Sequence, residues 1–216
     1  MTSDIKVITL DLDGVLFDGS SAAFVVAQKV GLAEQYVTLF QRMVEENMNL
    51  RQSVIEGSKI WKGITIDESY KGLVDSLPLM SGAVDTVDAL RGWGYEVGCI
   101  SSGVSQFFMK PFMDRLNLDF AYSNILGSIN GAHDGTVKYI MGGPEKAETI
   151  LKHVEENGYT QNNIASVGNG LNDIELFNVS AFSIAFNPVD KIVSDTASVT
   201  VKSNDLRSIL NHFKKT

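Results

Sequence analysis

The stretch Val7-Ile8-Thr9-Leu10-Asp11-Leu12-Asp13-Gly14 constrains this chain more than any other. Ile5, Val7, Ile8 and Leu10 form a short, nearly continuous apolar run rich in β-branched residues, the pattern of a strand buried on both faces. Read as a strand over residues 7–17, it carries two carboxylates at i and i+2, followed at once by Gly14. Extended backbone points i and i+2 to the same side, so Asp11 and Asp13 face one way. A turn beginning at Gly14 would also bring the Asp13 carbonyl near the Asp11 carboxylate. Open α/β sheets put their chemistry outside the carboxyl ends of their strands. Two Asp residues at a strand end also serve as turn-forming acceptors, and the motif alone leaves both readings open.

At 216 residues the chain makes one sizeable domain, or one domain with a small accessory lobe. Its 44% hydrophobic and 20% charged residues are those of an ordinary globular protein. A net charge of -8 with no basic cluster argues against a nucleic-acid or anionic-membrane surface. The single cysteine, Cys99, lies in an apolar stretch, cannot close an intramolecular disulfide and reads as a small buried hydrophobe. Neither a leader pattern at the start nor an apolar run of membrane-spanning length is present, and the expectation is a soluble cytoplasmic protein.

A helical block follows the first strand over residues 20–76, with apolar residues at helical spacing around Ala22–Val30, Tyr36–Val44, Val54–Trp61 and residues 67–77. No strand signal interrupts it, so it reads as a lid inserted between the first and second strands. Regular α/β alternation begins at Pro78. Ser81 is a candidate cap for a helix to Arg91, residues 95–100 a second strand ending at Ser101-Ser102-Gly103, and residues 104–116 a helix. Residues 123–139 read as a β-hairpin turning at Asn130-Gly131. Pro144 opens a helix that ends at Asn157-Gly158. Strands are expected at 164–167, 182–186 and 199–201, with a closing helix over 205–213.

Three strands therefore end in polar runs: Asp11/Asp13, Ser101-Ser102-Gly103, and Asn169/Asn172/Asp173. Right-handed crossovers bring those ends to one sheet edge. A hydroxyl and backbone N–H groups entering a helix at residues 101–104 make an anion site. Lys146, one turn into its helix, supplies a positive charge, and the acids of the first and later strands suit Mg²⁺, which prefers oxygen ligands.

On these residues the chain resembles the haloacid dehalogenase superfamily of phosphohydrolases, in its phosphoserine phosphatase branch, over essentially its whole length. The first motif of that family is matched by Asp11-Leu12-Asp13-Gly14-Val15, the second by Ser101, the third by Lys146 and the fourth by Gly168-Asn169-Gly170-Leu171-Asn172-Asp173. The resemblance implies a Rossmann-like, three-layer α/β core of residues 1–17 and 78–216, with a small helical cap of residues 18–77. It also implies Asp11 as the nucleophile forming an aspartyl-phosphate and Asp13 as general acid and base. Phosphate would lie on Ser101, Ser102, Gly103, Lys146 and Asn172, and Mg²⁺ on Asp11, Asp13, Asn169 and Asp173. The implied partner is a small phosphorylated metabolite. Asp13 sets the chain apart from dehalogenases, which lack a carboxylate there.

Two departures bear on function. Asn169 stands where the branch has a metal-binding Asp, keeping an oxygen but losing a charge, so weaker Mg²⁺ binding is expected. Ser20 and Gly57 stand where the branch has the Glu and Arg that read serine, and Arg51 lies near, so phosphoserine is not expected to be strongly preferred. A binding relative without turnover, favoured by Asn169 alone, and a phosphotransferase or phosphomutase are the alternatives. Trp61, Trp93 and the Phe and Met side chains at helical spacing read as packing. His133, expected in the hairpin turn, and His153 and His212 on later helices lack metal-ligand spacing.

Overall fold

A computed structural model of the chain describes residues 4–213; the outermost three residues at each end of the expected core lie outside the described residues. A seven-stranded sheet has the order β4-β3-β2-β1-β5-β6-β7. Its strands are β1 (Val7–Leu10), β2 (Glu96–Ser105), β3 (Phe120–Ile129), β4 (Ala132–Tyr139), β5 (Ile164–Gly168), β6 (Phe182–Phe186) and β7 (Val199–Val201). All neighbours pair in parallel except β3 and β4, the two arms of the hairpin. β1 sits at the centre with all four residues buried, as its apolar run requires. The strand is shorter than the expected 7–17: it ends at Leu10, and residues 12–17 form a turn in which the amides of Val15, Leu16 and Phe17 all converge on the Leu12 carbonyl.

Among the described residues, nine α-helices surround the sheet: α1 (Ala22–Lys29), α2 (Ala33–Glu45), α3 (Leu50–Ile60), α4 (Glu68–Asp75), α5 (Ala83–Gly92), α6 (Gln106–Leu116), α7 (Gly143–Glu156), α8 (Ile174–Asn178) and α9 (Lys191–Thr196). One face buries Ile8 and Leu10 of β1 with Val87 of α5, Phe108 and Phe112 of α6 and Val26 of α1. The opposite face buries Val7, Ile100 and Ile164 against Ile150 and Val154 of α7 and Leu176 of α8. This is the expected three-layer α/β sandwich. None of the helices among the described residues is long and apolar enough to cross a membrane.

Helices α1–α4 occupy the segment between β1 and α5, as the helical spacing predicts. The chain leaves and rejoins the core through a paired neck, where the Asp18 amide donates to the Pro78 carbonyl (3.2 Å) and the Met80 amide to that of Leu16 (2.9 Å). The insertion is also tied to the hairpin. Gly63 donates to the His133 carbonyl (2.8 Å), His133 to that of Ile64 (2.9 Å) and Ile66 to that of Gly131 (2.8 Å).

Local readings differ in three places. Helix α5 starts from Gly82 in a left-handed conformation (φ 71°) and not from Ser81, whose carbonyl instead accepts from Leu206. The closing helix is a 3₁₀ segment, Leu206–His212. The third concerns β2, which continues through Ser105 where a helix was expected from residue 104. Side-chain bonds between it and the hairpin hold it extended. Asn124 donates to the carbonyls of Ser102 (2.8 Å) and Val104 (3.0 Å), and the Gln106 amide side chain exchanges two 2.9 Å hydrogen bonds with the backbone of Leu126.

The Asn130-Gly131 turn forms as expected, both residues at positive φ, but His133 lies beyond it in β4 and is 2% exposed. Its ring is caged by Trp61, Tyr70 and Phe107 at centroid distances of 5.7, 6.0 and 5.1 Å, and neither nitrogen has a hydrogen-bond partner among the described residues. Burial lowers its pKa from the ordinary 6.5 to about 4. The unfolded chain then takes up this proton at a higher pH than the folded one, so stability falls as pH drops from about 6.5 toward 4. In His133→Phe, the melting temperature is expected to lose part of its decline over that window, read by circular dichroism melts at half-unit pH steps.

Candidate active site

The ends of β1, β2 and β5 meet around a cleft of about 530 Å³ lined by Asp11, Asp13, Ser102, Gly103, Asn169 and Asn172, among others. Directly beneath it lies an ion triad. The Lys146 ammonium donates to Asp11 Oδ1 and to Asp173 Oδ1, both at 2.7 Å, and all three side chains are buried. Lys146 reaches this point from α7, whose start is shaped by Pro144 and by Glu145, which accepts from the Gly142 amide at 3.1 Å. Burial alone would push the Lys146 pKa down, but Asp11 and Asp173 outweigh it and hold the ammonium charged. For Asp11 the balance is opposite. Burial and the charge of Asp173 raise its pKa against the pull of Lys146.

Asp13 sits two residues on. Its Oδ1 accepts from the Ala22 amide (2.7 Å), the first residue of α1, so the insertion itself orients this carboxylate. Its Oδ2 lies against Gly103, where any Cβ would fall 2.3 Å away. Burial raises the Asp13 pKa to about 6, opposed by the Ala22 hydrogen bond and by Lys146. Gly14 has φ 76°, and a Cβ there would meet the Asn169 amide at 2.1 Å. Glycine is required twice over, for the left-handed turn and for the close approach of Asn169 to the Asp11–Asp13 turn.

The residues singled out by sequence divide into two groups. Asp11, Asp13, Ser102, Gly103, Asn169 and Asn172 line the cleft, and Asn172 donates to Ser102 Oγ (3.2 Å), linking the ends of β5 and β2. Ser101, Lys146 and Asp173 lie below it. Ser101 is 1% exposed and its Oγ accepts from the Gly103 amide (3.1 Å). Asp173 has both oxygens engaged: Oδ1 by Lys146, Oδ2 by the amides of Asn169 (2.9 Å) and Gly170 (3.0 Å). With α6 starting at Gln106, no helix opens at residues 101–104, and the expected helix-terminus anion site is absent there. Ser20 reaches the cleft, and Arg51 instead pairs with Glu145, joining α3 to the start of α7.

Sequence reading missed Asn124 and Glu175. Asn124 is 3% exposed and holds the tip of β2 in place, and its Oδ1 accepts from the Met141 amide (2.8 Å). A lone amide inside an apolar hairpin strand was the available signal. Glu175 lines the cleft beside Gly143.

Three comparisons bear on the site. A family model described as haloacid dehalogenase-like hydrolase matches residues 5–179. The phosphoserine phosphatase of Methanocaldococcus jannaschii is 27% identical over 210 residues, covering 97% of this chain and 98% of that protein. That of Archaeoglobus fulgidus is 25% identical over 97% of this chain, which spans only 60% of its length. A solved structure described as a phospho-aspartyl intermediate analogue of phosphoserine phosphatase superposes with a TM-score of 0.81 at 26% identity, covering 98% of this chain and 100% of that one.

The triad sets a stability expectation. In Lys146→Met, Asp11 and Asp173 are left buried with no counter-charge, a change that costs about 3–5 kcal/mol. Adding Asp173→Asn to that variant removes one of the two orphaned charges, and part of the loss is expected to return. Urea denaturation of the two variants and the parent measures both effects.

Proposed function

The chain belongs to the haloacid dehalogenase-like hydrolases, and from that premise we propose that it is a phosphatase of small phosphate monoesters, working through Asp11 and Asp13. One observation carries the reading: Asp11 is buried, pinned through one oxygen by Lys146 at 2.7 Å, and opens on a cleft it shares with Asp13. A carboxylate held in this way is oriented for attack without rotamer search.

In the proposed reaction the Asp11 carboxylate attacks phosphorus in line with the ester oxygen. A P–O bond forms to Asp11 as the bond to the leaving alcohol breaks, and Asp13 gives its proton to that oxygen. Asp13, now ionised, takes a proton from water as the water attacks the acyl phosphate, releasing inorganic phosphate and restoring Asp11. A proton donor with a pKa of about 6 is matched to both halves of this cycle near neutral pH. Ser102, Gly103 and Asn172 border the phosphate position, and Ser101 supports them from below through the Gly103 amide.

The family generally uses Mg²⁺, and the donors bordering the cleft fit a hard cation: the carboxylates of Asp11, Asp13 and Glu175 and the amide oxygens of Asn169 and Asn172, with no sulfur or imidazole. We assign it to Asp11, the Asp13 backbone carbonyl and Asn169. Asp173, expected among the ligands, serves instead to hold Lys146 and the Asn169-Gly170 backbone, since both its oxygens are engaged. When bound, Mg²⁺ supplies positive charge that favours ionised Asp11 and screens the phosphoryl oxygens. Residues 18–77 act as a cap over a core of residues 1–17 and 78–216, joined through the neck at Asp18 and Pro78.

Asp11→Asn is expected to lower turnover to background with an unchanged melt, and beryllofluoride to bind the parent and not the variant. Asp13→Asn should lower kcat by roughly 10²–10⁴-fold, the size of a lost general acid. Phosphate release from a panel of small monoesters with Mg²⁺ measures both; full activity in Asp11→Asn removes the covalent route. Asn169→Asp restores a charge, so Mg²⁺ should bind the protein more tightly by calorimetry, alongside a lower Mg²⁺ requirement for half-maximal rate.

A further inference from the structure

Beside the catalytic cleft, under the helical insertion, lies a second cavity of about 170 Å³, and the two share Leu50, Ser102 and Gly103 as a common wall. Its surface comes from Leu39, Phe40 and Met43 of α2, Val54 of α3, Phe108 of α6 and Leu126 of β3, backed by Tyr36 and Trp61. Among the described residues, no carboxylate, guanidinium or ammonium lines it.

Most polar groups along this wall are engaged by the protein, and those that only accept, the hydroxyls of Ser21, Tyr36 and Ser102, are neutral. Trp61 Nε1 donates to the Tyr36 hydroxyl at 2.7 Å, and the Tyr70 hydroxyl is hydrogen-bonded to Ser105. Ser53 Oγ donates to the Asn49 carbonyl (3.0 Å), and Ser58 Oγ to those of Ile55 (2.8 Å) and Gly135 (3.1 Å). Asn124 is saturated by β2 and Met141. Phe24, Tyr36, Phe40 and Trp61 pack edge to face or tilted in a continuous chain with centroids 5.4–6.0 Å apart, which gives the wall a set shape. Gly57 contributes no side chain; a Cβ there would have only Leu39 Cδ2 near it, at 3.6 Å, so the space above α3 is open.

We propose that this cavity holds the leaving group, and that the preferred substrates are phosphate monoesters of apolar alcohols, alkyl or benzyl-like, of about four to six carbons. The assignment rests on the phosphatase reading of the cleft. A phosphate over Asp11 sends its ester substituent past Ser102 and Gly103, and the cavity is where that substituent arrives. Cavities of this size with apolar walls accommodate a benzene-sized group. The ammonium and carboxylate of a phosphorylated amino acid would enter without a counter-charge, met only by neutral groups, and burying unpaired charge is heavily disfavoured.

Binding of phosphonates, which cannot be hydrolysed at the C–P bond by this chemistry, tests the cavity apart from turnover. Calorimetry on the whole protein with Mg²⁺ compares ethyl-, butyl-, hexyl- and benzylphosphonate with 2-amino-3-phosphonopropionate. Affinity is expected to rise roughly threefold per methylene from ethyl to butyl, and the zwitterion to bind at least about tenfold more weakly than butylphosphonate. Gly57→Leu fills the open space and should flatten the series. A flat series in the parent, absence of binding, a zwitterion at least as tight as butyl, or a full slope retained in Gly57→Leu overturns the assignment. Hydrolysis of butyl phosphate is scored separately: a steep slope without turnover overturns the phosphatase reading alone, and turnover with a flat slope overturns the cavity alone.

Discussion

A single ammonium organises this molecule's chemistry. Lys146 arrives from α7 to sit between Asp11, which follows β1, and Asp173, which follows β5, at 2.7 Å from each. An unpaired charge at that depth would be intolerable, and two carboxylates there without a cation would repel each other. The ammonium gives both buried carboxylates an opposite charge, and the contacts tie β1, α7 and the segment after β5 into one arrangement. The consequence extends one step further. The second oxygen of Asp173 holds the amides of Asn169 and Gly170, and so the position of the Asn169 side chain over Gly14 depends on a nitrogen it never touches.

Around that centre the molecule separates two kinds of recognition. Toward the sheet, short charged and amide contacts set the positions of the side chains. Toward the insertion, aromatic and aliphatic surfaces dominate, and the polar atoms present are turned inward to one another. Ala22 links the two regimes, since the first amide of α1 orients the Asp13 carboxylate. The placement of the insertion on the core therefore sets the Asp13 carboxylate directly, without an intermediary.

Much of this was legible in the chain because it depends on local pattern. The central strand announces itself by its apolar run and the two acids that end it, and the hairpin by Asn130-Gly131. Lys146 was visible one turn after Pro144. What escaped depends on partners distant in sequence. Residues 104 and 105 look like a helix start, and become strand because Asn124 of the hairpin bonds to the backbone of Ser102 and Val104 while Gln106, just beyond, bonds to Leu126. Asp173 reads as a metal ligand by resemblance, and that its oxygens take hydrogen bonds from Lys146 and from the Asn169 and Gly170 amides is visible only in the fold. Trp61 reads as packing from spacing alone, and it is packing; that its other face closes a cavity is a fact of three dimensions. His133 shifts from turn to buried strand because Gly63–Ile66 come across to meet it.

That last meeting has a consequence for solubility. A sheet of this kind has two open rims, and an unpaired strand rim invites another chain to add to it. At one rim β7 is only three residues long and offers little to pair with. At the other, β4 is eight residues long, and its start beside the turn is covered where the segment around Ile64 and Ile66 bonds to Gly131 and His133. The helical insertion thus shields an adhesive border as well as roofing a cleft. Trimming it away would leave an exposed β-ribbon on an otherwise intact sheet, and the shortened chain would be prone to self-association through that ribbon.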